Sequence, residues 1–121
     1  MKNEKIIWSL DLMLNLHNCR SLELDDSFIK NFCQKIGNKI DPKGEIIGIV
    51  NNFGDHDENM KGLRVIHETQ NCLITGHIVS KNKNFFLNIH SCAGYRPSEI
   101  IEIVSKELDP ESYSCQKVFR E

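Results

Sequence analysis

Four side chains with chemical potential fall between positions 72 and 92: Cys72, His77, His90 and Cys92. A thiol is a nucleophile once ionised, and an imidazole can take or give a proton near neutral pH. The group therefore has the residue types of covalent or acid–base catalysis. The same types ligate zinc. His90 and Cys92, two apart, share a strand face, and with His67 or Cys72 they make a candidate metal site, although no CxxC pair accompanies them. Packing is the third reading, because free cysteine is among the most buried residue types and a histidine can pin a hairpin.

What these groups can do depends on the elements that hold them. Residues 72–79 and 84–92 read as two strands joined by the polar turn Ser80-Lys81-Asn82-Lys83, so all four groups sit on one rigid hairpin. Upstream, residues 6–14 alternate, with Ile6, Trp8, Leu10, Leu12 and Leu14 on the apolar parity, which predicts a strand with one core face. Asp25-Asp26 is a helix-capping signal. Phe28, Phe32 and Ile36 recur at helical spacing beside Ile29 and Cys33, and Gly37 is expected to stop the helix.

Asp41-Pro42-Lys43-Gly44 is a turn, and residues 45–50, rich in isoleucine and valine, read as a buried strand. Residues 51–61 are expected to be a polar loop, in which Asp55-His56-Asp57-Glu58 is better read as solvated than as a metal site. Residues 63–69 form the next strand, and Gln70-Asn71 turns the chain into Cys72. Pro97 suits a first helical position. Ile100, Ile101, Val104 and Leu108 then make an apolar face, Asp109-Pro110 ends the helix, and residues 113–119 close the chain as a strand. The order βαββββαβ predicts an α+β two-layer sandwich: a mostly antiparallel sheet with two helices on one face. Phe28, Phe32 and Phe85 or Phe86 belong to its core. Phe53 is a candidate for stacking on a ligand ring. Arg64 could bind a substrate carboxylate or pair with Glu68, and the pairing is preferred.

The bulk numbers agree with one domain over residues 1–121 and exclude several function classes. Fifteen basic residues against seventeen acidic ones give a net charge of −2, with no basic stripe to attract nucleic acid or anionic lipid. The start of the chain is too polar for a signal peptide or membrane span, and a cytoplasmic location is expected. Five unevenly spaced cysteines then read as reduced thiols rather than a disulfide framework.

The run Cys72-Leu73-Ile74-Thr75-Gly76-His77, with Lys61-Gly62-Leu63-Arg64 before it and Ile89-His90-Ser91-Cys92 after it, resembles the core of the small prokaryotic S-adenosylmethionine decarboxylases. The order of elements is similar too. The resemblance implies that the residue at position 72 attacks its preceding peptide bond and becomes a pyruvoyl cofactor on a new amino terminus. It also implies that His77 assists this self-cleavage and that Cys92 returns a proton to the substrate. Decarboxylation of S-adenosylmethionine or a related amino acid in polyamine synthesis, by a homodimer that pairs its sheets, would follow. The sequence departs from the family pattern in four places. Cys72 replaces serine, Asn71 replaces the glutamate before it, Arg64 takes the place of a second serine, and the turn after His77 lacks a ribose-binding glutamate. These departures motivate the alternative of an unprocessed, non-catalytic relative that binds a metabolite or regulates a catalytic paralogue, without a cofactor. On either reading His90 is expected to be structural.

Overall fold

The computed structural model describes residues 9–121. Strand β1 (Ser9–Cys19) is followed by helix α1 (Asp26–Ile40), strands β2 (Glu45–Phe53), β3 (Gly62–Thr69), β4 (Cys72–Val79) and β5 (Asn84–Ser91), helix α2 (Pro97–Leu108) and strand β6 (Pro110–Arg120). The six strands form one sheet in the order β2-β3-β4-β5-β1-β6, antiparallel at every pairing. Both helices pack on one face, so the predicted α+β sandwich and its βαββββαβ order are the observed ones.

The core lies between that face and the helices. Leu12, Leu14 and Leu16 of β1, Ile74 and Ile78 of β4, and Phe85, Leu87 and Ile89 of β5 meet Ile29, Phe32 and Ile36 of α1 and Ile100, Val104 and Leu108 of α2. Period-two and helical spacing in the sequence produce these two facing surfaces. Asp25 caps α1 as predicted, accepting the Phe28 N–H at 2.8 Å. Phe85 is buried, whereas Phe86 points to the opposite face and is exposed.

Four expectations are corrected. β1 continues to Cys19, beyond the predicted end at Leu14, because β6 itself extends from Pro110 to Arg120 and pairs along its whole length; Ile6 and Trp8 of the predicted strand lie outside the described residues. Gly37 does not end α1. The helix runs to Ile40, and Gly37 is buried where a side chain would strike the ring of His67, 2.6 Å from Nε2. β2 is an exposed edge strand rather than a buried one, with Ile46, Ile47 and Ile49 all exposed, and it extends to Phe53, so the loop is shorter than predicted. Beyond it, Asp57 anchors a tight turn, accepting the Asn59 N–H at its side chain and the Met60 and Lys61 N–H groups at its carbonyl.

Among the described residues, no helix packs on the second face of the sheet. Met13, Leu73, Phe86 and Val118 are exposed on it, among polar neighbours. Among the described residues, no helix is long and apolar enough to cross a membrane.

Candidate active site

Gln70 and Asn71 form a two-residue turn between β3 and β4, and a buried carboxylate holds that turn in place. Asp41, at the C-terminal cap of α1, accepts the Asn71 N–H at 2.9 Å, the Asn71 carboxamide at 3.3 Å, the Thr69 hydroxyl at 2.9 Å and the Lys43 N–H at 3.2 Å. Burial pushes its carboxyl up, but these donors outweigh burial and hold it below the usual aspartate value. Thr69 extends the clamp by accepting the Cys72 N–H at 3.1 Å. On the other side, the Cys92 N–H donates to the Asn71 carbonyl at 2.9 Å. The peptide bond between Asn71 and Cys72 is thus held at its carbonyl oxygen, its nitrogen and its preceding residue.

The Cys72 side chain points to the helix side and is 3% exposed. Burial, and secondly the Asp41 charge, push its thiol up to about 12, so it is protonated at neutral pH. Cys92, one residue past β5, is exposed. Asn71, Cys72, Cys92, His90 and Glu68 share one cleft of ≈ 300 Å³ at this end of the sheet. The structure therefore brings two of the three predicted catalytic residues, Cys72 and Cys92, to one place.

His77 is elsewhere. It lies five residues along β4 from Cys72, roughly 17 Å at strand rise, and an odd separation puts it on the helix-free face. The β4 pairings with β3 and β5 run without a bulge, so nothing reverses that alternation. Its Nε2 is 2.9 Å from the Met60 carbonyl, and its ring meets Phe53 edge-on at 4.6 Å. Arg64, the cross-strand partner of His77, places its guanidinium 3.8 Å over the Phe53 ring. Among the described residues no ion pair joins Arg64 to Glu68, four residues along the same extended strand and out of reach. Arg64, Phe53 and His77 thus form a second cluster, distant from Cys72 within one chain.

The suggested zinc site does not form: among the described residues, no three histidine, cysteine or carboxylate side chains are placed to hold a metal ion. His90 instead donates Nδ1–H to Asp11, its cross-strand partner, and Arg120 binds the second oxygen of that carboxylate. Sequence reasoning missed Asp11, Asp41 and Thr69. The polar Asp11 inside an apolar alternation is the one local signal among them. Asp41 lies in a predicted turn and Thr69 in a predicted strand, and their role depends on long-range packing.

No curated protein matches the chain by sequence. Its fold is similar to the crystal structure of the adenosylmethionine decarboxylase from Aquifex aeolicus VF5, with a TM-score of 0.69 at 14% identity over 94% of this chain and 91% of that one. The family model for S-adenosylmethionine decarboxylase matches residues 10–121, nearly the whole described chain. The chain therefore belongs to the S-adenosylmethionine decarboxylase family.

Proposed function

We propose that this protein is a self-processing, pyruvoyl-dependent decarboxylase of S-adenosylmethionine or a related amino acid, acting in polyamine synthesis. The observation that carries the proposal is the Asn71–Cys72 peptide, with a thiol on one side and the Cys92 N–H on its carbonyl oxygen at 2.9 Å. Attack by Cys72 Sγ on the Asn71 carbonyl carbon moves the acyl group from nitrogen to sulfur, and the thiol proton passes to the Cys72 nitrogen as the C–N bond breaks. Negative charge then develops on the oxygen that Cys92 N–H already binds, which is the arrangement of an oxyanion hole. Thr69 and Asp41 keep the bond from turning away. Elimination then removes the Cys72 Cα proton and breaks the Cβ–S bond, so that Asn71 leaves as a thiocarboxylate carrying the sulfur. The dehydroalanine left at position 72 tautomerises to an imine that water hydrolyses to the pyruvoyl terminus with release of ammonia.

These residues fit a pyruvoyl group made from Cys72, which would supply an electrophilic carbonyl that holds a substrate amine and draws electrons as carbon dioxide leaves. Cys92, exposed in the same cleft, returns a proton to the substrate carbon. His77 is too far from Cys72 in its own chain to assist the elimination, so in this reading it acts from the partner subunit of a homodimer. The helix-free face that carries His77, with exposed Met13, Leu73, Phe86 and Val118, is the surface that such a dimer would cover.

Intact-mass measurement of purified protein tests the proposal. The expected result is cleavage between Asn71 and Cys72, a new terminus that borohydride couples to an amine, and release of carbon dioxide from carboxyl-labelled S-adenosylmethionine. A chain that stays whole through long incubation and releases no carbon dioxide overturns it. That result would favour the second reading, a non-catalytic relative, for which the buried, protonated Cys72 thiol is the motivating observation.

A further inference from the structure

Asp11 and His90 face each other across β1 and β5 on the helix-free side of the sheet. A carboxylate can only accept, so His90 Nδ1 carries the proton of their hydrogen bond and Nε2 is left for other partners. Arg120 of β6 ties down the second Asp11 oxygen, and the Asp11 side chain is only 13% exposed. Burial pushes the Asp11 carboxyl up, but Arg120 and His90 outweigh it and hold the carboxyl below its ordinary value, so it is ionised throughout the neutral range. The His90 side chain is 45% exposed. It lines the cleft that also contains Cys92 and Cys72, and a second one of ≈ 260 Å³ on the other side of Leu73 that contains Asp11 and Arg120.

A carboxylate that fixes the tautomer of an imidazole, itself bordering a cleft that holds an accessible thiol, is the geometry of an acid–base relay. We infer that His90, oriented by Asp11, is a positioning residue that sets the ionisation of Cys92. The inference rests on the proton-return role proposed for Cys92. When the Cys92 thiol gives its proton to the substrate carbon, a thiolate remains. The His90 imidazolium stabilises that thiolate and then restores its proton from Nε2, and His90 recovers a proton from solvent. One proton enters from solvent for each one delivered, and no other reactant is consumed.

Among the described residues, the titratable groups around the relay include Tyr95, whose charge interactions reach Cys72 and Asp11. Asp11 faces His90 from β1, Arg120 reaches the same carboxylate from β6, Cys72 and Glu68 border the cleft from β4 and β3, and Cys92 follows on β5 itself. Leu73, the β4 partner of His90, is apolar and does not titrate.

The test is the pH dependence of Cys92 alkylation by iodoacetamide in the full chain, read by peptide mapping, with the exposed Cys115 as a reference in the same molecule. In the wild type the Cys92 rate should rise with pH in two steps. In His90→Gln the first step should vanish, and the rate at neutral pH should fall by about 3- to 10-fold, with Cys115 unchanged. Superimposable Cys92 profiles in wild type and His90→Gln overturn the inference. Should that variant not fold, Asp11→Asn, which keeps the ring but removes its orienting charge, should slow Cys92 at neutral pH in the same way; an unchanged rate overturns it. The readout is independent of processing. A chain that never cleaves yet shows the two-step profile refutes the decarboxylase reading and keeps only the coupling of His90 to Cys92, while a cleaving chain with a one-step profile refutes that coupling alone.

Discussion

Cys72 and His77 share one strand but neither face nor end: Cys72 is buried toward α1, and His77 lies on the helix-free side beside Phe53. If both serve one processing event, they must come from different subunits. Each of the variants Cys72→Ala and His77→Ala should then fail to cleave alone. Refolded together in equal amounts, they should regain cleavage in about half of the chains that keep Cys72, since random pairing puts half of those opposite a partner with an intact His77. Mass spectrometry of the mixture reads this directly. Cleavage of His77→Ala at the wild-type rate, or no rescue in the mixture, would refute the shared site.

The buried thiols make a separate prediction about alkaline stability. Burial raises Cys19 to about 11 and Cys33 and Cys72 to about 12. In the unfolded chain each would ionise near about 8.5. Between those values the folded state holds protons that the unfolded state has lost, so stability falls as pH rises. The loss is up to about 1.4 kcal/mol per pH unit for each thiol. Urea denaturation followed by circular dichroism should give a flat midpoint below about pH 8 and a steady decline above it. Replacing Cys33 with alanine should lower the stability at neutral pH and make that decline shallower. A midpoint that does not move up to about pH 10 would mean that these thiols are not sealed from solvent.

The sequence announces the fold more fully than the site, and the reason is physical. Alternation in β4 and β5 and the helical spacing of Phe32, Ile36, Ile100 and Val104 are local consequences of burial, so periodicity reveals them. Edge position leaves no such mark: the isoleucines of β2 read as buried because their composition says nothing about which strand stands next to them. The site is split in the same way. Cys72 and Cys92 are found by type and spacing, whereas Asp41 reaches Asn71 and Thr69 from 30 and 28 residues away, and Asp11 reaches His90 across 79. Cys72 and His77 are grouped by the family spacing, whereas strand parity puts them on opposite faces of the sheet. What parity cannot supply is a partner subunit.

Gly37 offers a last test, because two local rules disagree about it. In a helix interior, glycine to alanine should stabilise by about 0.5–1 kcal/mol through backbone entropy. Here, however, an added Cβ would lie 2.6 Å from Nε2 and 3.1 Å from Cδ2 of His67, a ring that is itself 3% exposed in the packed layer between α1 and β3. Overpacking of that kind costs about 1–3 kcal/mol. The clash is with a side chain rather than backbone, so the ring can give way in part, but burial leaves it little room. Gly37→Ala should therefore destabilise the fold by about 1 kcal/mol net, readable as a lower urea midpoint at unchanged slope. The double change Gly37→Ala with His67→Ala removes the obstacle, and the coupling between the two sites should recover most of the single variant's loss. A single variant more stable than wild type would show that α1 can shift away from β3. It would also weaken the case for a rigid Asp41 clamp at the end of that same helix.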